Sequence, residues 1–308
     1  MPSEKHLDPP SQPIPFFSAG TKIPKIIHQI YFHPHQNLPA VLQENVRAIR
    51  GLNPGWEHRL YDDHDMAEFI GRVYGPKVLA LYLRINEKYG AARADLFRYL
   101  LMYQCGGVYL DIKASVEKPL DSVLLADDVF LLSRWQDSRR GEAFTARWGM
   151  HGELKSIGGR EFQQWHIMAA PGHPFLRAVI EKVLANIENY NPIVHKTGRA
   201  GVLWLSGPIA YTLAITPLLP VSAHRLIAGH EELGLIYSIF NSETFRAHRT
   251  IFQYHYTELT EPVVALSRAR QWLWMFFGPI QIYVFGPARH FFEALMRRAR
   301  RLRGLSGA

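Results

Sequence analysis

The segment from residue 91 to residue 113, AARADLFRYLLMYQCGGVYLDIK, limits the possible folds of this chain more than any other. Apolar residues recur in it at helical spacing up to position 104, and the pair Gly106-Gly107 is a typical helix stop. The run VYLDI that follows predicts a short apolar strand. Because alternate residues of a strand face the same side, we expect Tyr109, Asp111 and Lys113 to project together from its end.

The rest of the chain alternates between strand-like runs and amphipathic helical stretches. We predict strands over 25–32, 56–63, 128–133 and 165–170, with further candidates in LGLIYSIF and FQYHY. Helices are predicted over about 38–49, 65–73, 77–85 and 173–190, and another begins at Gly207-Pro208. This alternation predicts an α/β sandwich with a largely parallel sheet, in which ligands bind beyond the carboxyl ends of the strands. Asp111 is expected at such an end.

The charge distribution and the single cysteine exclude two classes of protein. The formal net charge is +8, but residues 289–303 contain one acid, Glu293, and arginines at positions 289, 297, 298, 300, 301 and 303. Much of the excess charge therefore lies in a tail and not on the fold, so we predict no nucleic-acid partner. Cys105 alone cannot form an internal disulfide, which suits a reducing, cytoplasmic location. Because Cys105 ends an apolar helical run, a packed thiol is favoured over a nucleophile.

The C-terminal region predicts contact with an anionic membrane surface. Residues 271–288, QWLWMFFGPIQIYVFGPA, carry no charge and are rich in the aromatic residues that favour membrane interfaces. Gly278-Pro279 and Gly286-Pro287 argue against a straight spanning helix. The basic amphipathic stretch RHFFEALMRRARRLR that follows suits anionic headgroups. We expect peripheral attachment, and a C-terminal subdomain that packs on the core is the alternative.

Several polar groups have an ordinary structural explanation beside a functional one. Asp95 and Arg98 lie three residues apart on one helix face, where a plain intrahelical ion pair would explain them. The run DDHD at 62–65 is typical of a solvated loop and helix cap, and His166 of a packed histidine. Ser206-Gly207 fits helix capping and a phosphate site equally well. No GxGxxG motif follows a strand, so a dinucleotide fold is unsupported.

A set of ordered motifs resembles a known family of sugar transferases. The motifs are IPKIIHQIY, NPGWEHRLYDD, AARADLFRYLLMYQCGGVYLDIK and KPLD, then GHPFLRAVIEKVLANIENYNP, GVLWLSGPIAYTLAI and YHY. Over about residues 23–260 the chain is similar to glycosyltransferase family 32, whose members carry a DXD motif. This family includes yeast outer-chain mannosyltransferases and bacterial capsular-polysaccharide transferases, and it is more distantly related to the glucosylating clostridial toxins.

The resemblance implies a fold, a reaction and a division of the chain. It implies a GT-A-like α/β fold with a Rossmann-type nucleotide-sugar-binding sheet flanked by helices. The implied reaction moves a hexose from a UDP- or GDP-sugar to a hydroxyl of a glycan or lipid-linked acceptor, with retention of anomeric configuration. We expect a flexible lead-in over 1–22, a catalytic domain over 23–262 and an aromatic, arginine-rich extension over 263–308.

The resemblance also implies roles for particular residues. Asp95 would bind hydroxyls of the donor, Arg98 its sugar or phosphate, and Tyr109 would pack near the ribose. Asp111 would be the first acid of the DXD motif. His28 and Ile30, at the end of the first strand, would line the nucleotide pocket. His255 would complete the metal or phosphate site.

Lys113 departs from the family, because the second acid of the motif would stand at this position. That acid would bind Mn²⁺ or Mg²⁺, and an ammonium group cannot coordinate a metal. Three hypotheses follow. Lys113 itself neutralises the diphosphate, or Asp111, His255 and the phosphates hold the metal, or the protein binds nucleotide sugar or glycan without turnover. The predicted catalytic set is Asp95, Asp111 and Lys113, and the divalent cation is in doubt.

Overall fold

The computed structural model describes residues 14–135, 149–240 and 258–280 of the 308-residue chain. Within them the strands are β1 (Ile26–Ile30), β2 (Glu57–Tyr61), β3 (Gly107–Leu110), β4 (Ser115–Val116), β5 (Phe130–Ser133), β6 (His166–Ala169), β7 (Arg225–Ile227) and β8 (Leu235–Ile236). The helices are α1 (Ala40–Leu52), α2 (Asp63–Leu83), α3 (Gly90–Cys105), α4 (Pro174–Glu188), α5 (Pro192–His195), α6 (Gly198–Leu205), α7 (Pro208–Ile215) and α8 (Arg268–Ile280).

A six-stranded sheet with the order β2-β1-β3-β6-β5-β7 forms the centre of the fold. β1 is parallel to both β2 and β3, and β5 is parallel to β7. β6 is antiparallel to its two neighbours, β3 and β5. The predicted GT-A-like α/β class, a largely parallel sheet flanked by helices, is confirmed, and β6 is the one reversed strand of this sheet among the described residues.

Two glycines form the sharp turn from α3 into β3 that the sequence predicted. Gly106 ends α3 with a φ of 64°, and Gly107 has a φ of 103°, so both lie in the left-handed region that favours glycine. A Cβ atom on Gly107 would lie 2.6 Å from the carbonyl oxygen of Ile26, because β1 passes close to this residue. β3 is buried throughout and ends at Leu110, so Asp111 is the first residue beyond its carboxyl end.

The helix α3 is buried inside the core. Every residue from Ala94 to Tyr103 is buried, and Asp95 and Arg98 are among them. It packs against α2, α4, α6 and β6, which explains why its sequence has no polar face. Charged residues on a helix of this kind need partners, since an unpaired charge in the core is costly.

The two helices predicted over 65–73 and 77–85 are confirmed as the two halves of α2. The backbone leaves helical geometry between them at Gly75, which has a φ of 81°. Pro76 follows and has no N–H group to donate to the preceding turn, which accounts for the break in the helical geometry.

The ends of the described fold are packed more tightly than the sequence suggested. Ile14 is buried, and the ring of Phe17 makes an edge contact with that of Tyr103. Gly20 donates its amide hydrogen to the carbonyl oxygen of Pro171 at 2.8 Å. Part of the predicted lead-in is thus held against the fold through Ile14 and Phe17, while Phe16 is 74% exposed, and the flexibility of the lead-in stays a prediction. Val263, in the predicted extension, is buried as well.

Two late strand predictions have different outcomes. Only Leu235–Ile236 of LGLIYSIF forms a strand, which pairs antiparallel with Ser115–Val116 in a separate two-stranded sheet. The FQYHY run lies outside the described residues. Within the described ranges, the helical stretch Gly198–Leu218 is long and apolar enough to cross a membrane, but 61% of its apolar window is buried in the fold, so it is weak support for a span.

Candidate active site

Asp111 stands at the predicted place, just beyond the carboxyl end of β3. Its amide group donates to the carbonyl oxygen of Trp165 at 2.9 Å, and its own carbonyl accepts from Nε2 of Gln29 at 3.3 Å. The side chain is 25% exposed. The main chain thus fixes this residue while its carboxylate remains accessible at the edge of the sheet where ligands bind in such folds.

Arg98 joins Asp111 to Asp95 through one guanidinium group. Its Nη1 donates to Oδ1 of Asp111 at 2.9 Å and to the carbonyl of Gln164 at 3.0 Å. Its Nη2 donates to Oδ1 of Asp95 at 2.7 Å, and Nε faces the Ala94 carbonyl at 3.4 Å. All three nitrogens are used inside the protein, so Arg98 orients two carboxylates. Its contact with the donor stays a prediction.

Asp95 is buried and is surrounded by donors. Its Oδ2 accepts from Oγ of Ser206 at 2.9 Å, and its Oδ1 accepts from Nε2 of Gln164 at 3.1 Å as well as from Arg98. Burial raises the pKa of Asp95, and the positive charge of Arg98 opposes this effect. Asp95 therefore anchors Arg98, and its predicted bond to donor hydroxyls is not tested by this arrangement.

Tyr109 completes the arrangement around Asp111. Its hydroxyl donates to Oδ1 of Asp111 at 3.0 Å, and its ring lies 4.8 Å from the guanidinium carbon of Arg98. Burial raises the pKa of Tyr109 well above its ordinary value, so the hydroxyl keeps its proton and remains a donor. One oxygen of Asp111 thus receives two hydrogen bonds. The other, Oδ2, has no protein partner within the described ranges.

Lys113 does not project beside Asp111 in the way that strand alternation predicted. The strand ends at Leu110, and residues 112–113 form a turn, so the alternation stops before it reaches Lys113. Its Nζ donates to the hydroxyl of Tyr237 at 3.0 Å and lies 4.2 Å from the centre of that ring. Among the described carboxylates none forms an ion pair with Lys113. It is a half-buried cation without an anionic partner there.

His28 and Ile30 are not on an open surface, contrary to the prediction that they line a nucleotide pocket. His28 is fully buried, with Nε2 3.0 Å from the carbonyl oxygen of Gly106 and Nδ1 3.0 Å from the hydroxyl of Tyr61. Burial lowers the pKa of His28 to about 4, so the ring is neutral. Ile30 packs in the core cluster that contains Tyr109. A Cβ atom on Gly107 would lie 3.1 Å from Nε2 of His28, so the absence of a side chain at Gly107 leaves room for the imidazole ring.

The predicted metal site is only half visible. His255 lies outside the described residues, and within them no three histidine, cysteine or acidic side chains cluster as metal ligands. The open Oδ2 of Asp111 is the kind of oxygen that Mg²⁺ or Mn²⁺ binds together with substrate phosphates and water. A divalent cation therefore fits this residue, with one carboxylate as its protein ligand in the described part of the site.

An aromatic cluster that the sequence did not reveal lies beside Lys113. The ring of Tyr237 makes edge contacts with Trp135 at 5.1 Å and with Trp165 at 5.3 Å. His230 packs against both tryptophans, at 5.7 Å and 5.1 Å. The contacts join residues far apart in the chain, so no local pattern could have shown them. They hold the ring on which Lys113 rests.

The other polar groups follow their ordinary explanations. Asp62 caps α2 by accepting from the amide groups of His64 and Asp65, and Asp65 accepts in return from the amide of Asp62. His166 is buried, and its Nε2 contacts Oγ of Ser133 at 2.9 Å. Burial lowers the pKa of His166 to about 3. Cys105 is a half-buried free thiol whose pKa is raised by burial, which disfavours a nucleophile.

A cavity of about 600 Å³ lies elsewhere, at the open edge of the sheet. It is formed by β2 with parts of α1 and α2, and its lining includes Arg50, Arg59 and Arg72 together with Asp65 and Glu68. Neither Asp95 nor Asp111 lines it. The charges of both signs in this cavity do not indicate a ligand.

The comparisons with known proteins agree with the geometry around Asp111. Residues 39–130 match the family described as a glycosyltransferase sugar-binding region containing a DXD motif. This part of the chain is similar to that sugar-binding region. It includes α3, β3 and Asp111, so the predicted resemblance to the family is confirmed. Lys113 lies within the matched region as well. The chain therefore matches the family even though a lysine occupies the position of the motif's second acid.

Several relatives found by sequence are fungal mannosyltransferases. The inositol phosphoceramide mannosyltransferase 3 of Schizosaccharomyces pombe is 29% identical over 192 residues, which are 62% of this chain and 46% of that protein. SUR1, a mannosyl phosphorylinositol ceramide synthase of Saccharomyces cerevisiae, is 36% identical over 42% of this chain and 31% of its own length. The initiation-specific alpha-1,6-mannosyltransferase of Candida albicans is 33% identical over 42% and 34%. The matches cover less than half of each relative.

Solved structures with a similar chain path are glycosyltransferase domains of toxins. The PaToxG glycosyltransferase has 16% sequence identity and a TM-score of 0.47, with 84% of this chain and 86% of that one covered. The UDP-bound glycosyltransferase domain of the YGT toxin has 11% identity and a TM-score of 0.40, with 83% and 89% covered. At these values the likeness adds no detail to the site.

Proposed function

We propose that the protein is a glycosyltransferase that moves a hexose from a nucleoside diphosphate sugar to a hydroxyl of a glycan or lipid acceptor. One observation carries the proposal. A buried Arg98 holds Oδ1 of Asp111 at the carboxyl end of β3, inside the matched sugar-binding region, and leaves Oδ2 without a protein partner in the described residues. The names of the relatives support mannose as the sugar and an inositol-phosphate-bearing lipid as one acceptor class.

The role that we propose for Asp111 is to position the donor at its diphosphate end. Its free oxygen would accept a hydroxyl hydrogen of the donor or bind a divalent cation, which supplies positive charge to the phosphates when it is present. Arg98 and Tyr109 keep the carboxylate in one orientation, because both donate to the same oxygen. Asp95 keeps Arg98 in place through a 2.7 Å ion pair.

Lys113 is proposed to meet the negative charge that develops on the departing diphosphate. The leaving group needs a fixed cation, and a preorganised one stabilises the transition state without reorganisation. Lys113 lies two residues after Asp111 and has no carboxylate partner in the described residues, which favours this hypothesis over a structural ion pair.

The resemblance to the family also implies retention at the anomeric carbon, and NMR analysis of the first product would test it.

Donor binding tests the proposal most simply. At a hundred times its dissociation constant, a ligand stabilises its protein by about 2.7 kcal/mol. This corresponds to a rise in Tm of roughly 4 °C for a chain of this size. We expect this shift with one of a panel of UDP- and GDP-sugars, including GDP-mannose, and its loss in Asp111→Asn. Asp121→Asn is the matched control, because Asp121 is a surface acid paired with Lys25.

A binding protein without turnover is the second candidate, and Lys113 is the observation that favours it. Both candidates predict a thermal shift, but only the transferase predicts release of nucleoside diphosphate with sugar appearing on the acceptor or on water. A shift without release over many hours would favour the degenerate protein. The absence of any shift across the panel would contradict both.

A further inference from the structure

One face of α8 exposes large apolar side chains although the helix is attached to the fold. Trp272 is 63% exposed, Met275 53% and Phe276 67%. These positions are three and four residues apart, so they lie on the same side of the helix. Arg270 attaches the helix at its beginning, where Nη1 donates to the carbonyl oxygen of Tyr190 at 2.9 Å.

The neighbouring helix α5 also exposes apolar side chains. α5 packs against α8, and its Ile193 and Val194 are 42% and 64% exposed. We call the five exposed residues of the two helices the apolar patch: Ile193, Val194, Trp272, Met275 and Phe276. Several large apolar side chains exposed on two packed helices are uncommon on monomeric proteins, and such surfaces usually bind something.

Exposed arginines lie on the helices beside the apolar patch. Arg199, Arg268 and Arg270 are exposed on α6 and α8, and the nearby acid Glu261 is paired with Lys88 at 2.6 Å. The sequence continues after α8 with more aromatic residues and with the arginines of 289–303, where Glu293 is the only acid. Apolar side chains with an excess of arginine are the combination that binds anionic lipid surfaces.

The apolar patch is linked to the end of α3 that bears the active site. Tyr190, which holds Arg270, also accepts from the amide of Val263 at 3.0 Å. Tyr89, just before α3, donates to the carbonyl of Glu261 at 2.6 Å and accepts from the amide of Gly198 at 3.0 Å. Asp95 lies six residues after Tyr89, or roughly 9 Å along the helix. The patch and the site therefore belong to the same end of α3.

We propose that the apolar patch docks on an anionic phospholipid surface and thereby holds the active site near membrane-embedded acceptors. The second half of this statement rests on the proposed function, and the first half does not. A lipid surface is favoured over a second copy of the chain because exposed arginines border the apolar side chains. A self-complementary contact would bring those arginines against their own copies, and like charges repel.

Vesicle sedimentation of the full chain tests the docking step. We expect binding to phosphatidylcholine vesicles with about one third phosphatidylserine and much weaker binding to phosphatidylcholine alone, because cationic segments gain most from anionic lipid. Trp272→Ser combined with Phe276→Ser should lower the partition coefficient about tenfold or more, since two large apolar side chains no longer enter the interface. Leu226→Ser is the matched control, because Leu226 is 60% exposed on β7 and lies outside the patch.

Several outcomes decide the proposal. Equal partition of the double variant and the wild type would overturn it, as would equal binding to both kinds of vesicle. Wild-type binding that weakens as salt is raised supports it without relying on any variant. If sedimentation equilibrium shows a dimer that the double variant splits, with no vesicle binding, the patch is an interface between copies and the proposal fails. Asp111→Asn should bind vesicles normally, which separates failure of docking from failure of the proposed activity.

Discussion

Arg98→Met is the substitution that tests most sharply how the site is held together. The change removes the cation that lies 2.7 Å from Asp95 and 2.9 Å from Asp111 but keeps much of the side-chain volume. Asp95 is then left as a buried carboxylate that retains only its bonds from Ser206 and Gln164. Loss of one partner of a buried pair typically costs about 3–5 kcal/mol. We expect a loss of this size in the free energy of unfolding, or a fall of roughly 5–8 °C in Tm.

Chemical denaturation, followed by circular dichroism, measures this loss and assigns its cause. Asp95→Asn added to Arg98→Met should recover about 1–3 kcal/mol, because the uncompensated charge is gone. The deficit of Arg98→Met should also be smaller at about pH 5 than at about pH 8. The pKa of Asp95 would lie above its unfolded value, so the folded state binds the proton more tightly, and stability falls as pH rises.

A matched control and a clear contradiction complete the test. Arg177→Met removes a half-buried arginine that is paired with the exposed Glu181 at 3.0 Å on α4 and lies over the ring of Phe16, and a pair of this kind contributes about 1 kcal/mol or less. If Arg98→Met costs no more than Arg177→Met, or if Asp95→Asn restores nothing, the arginine is not the element that positions the two carboxylates.

Two further predictions concern pH and the missing acid of the motif. Burial lowers the pKa of His28 to about 4 from its ordinary 6.5, so the unfolded chain takes up the proton first and stability falls as pH drops from about 6.5 towards 4. The largest loss in the free energy of unfolding that His28 alone can cause is roughly 3 kcal/mol. Denaturant midpoints measured at pH 7.5 and 5.5 would detect the trend, and equal midpoints would contradict it. Lys113→Ala should lower the turnover rate by about 10²–10³ while the wild type keeps activity in EDTA. Strong inhibition by EDTA that Mn²⁺ reverses would refute the role of Lys113 as the substitute cation.

The sequence predicted the elements of the fold better than their directions and contacts. Apolar periodicity and the Gly106-Gly107 stop placed α3 and β3 closely, because both signals are local. The reversed direction of β6 was not predicted, since an apolar run of four residues carries no information on strand direction. The burial of Ile14 was not predicted either, because a proline-rich composition suggests a loose segment and does not show which tertiary contacts the segment makes.

The candidate site shows the same division between local and distant contacts. Asp95 and Arg98 were expected to pair along the helix, and they do. The second bond of Arg98, to Asp111, forms because the chain turns at Gly106-Gly107 and β3 runs back beside α3. This return of the chain is a tertiary feature that helix spacing does not show. Gln164 and Ser206 contact Asp95 from 69 and 111 residues away, and no pattern in the chain links them. A polar pair before an apolar strand, as at Gln163-Gln164, was the one available signal.

The central claim is that Asp111 belongs to a sugar-transfer site, and product formation tests it directly. The purified chain would be incubated with the donor that stabilises it and with a hydroxyl-bearing glycan or inositol-phosphate lipid, and the acceptor followed by mass spectrometry. We predict a gain of one hexose with wild type and with Asp121→Asn, and a loss of at least about a hundredfold in rate with folded Asp111→Asn. Normal transfer by folded Asp111→Asn would contradict the claim.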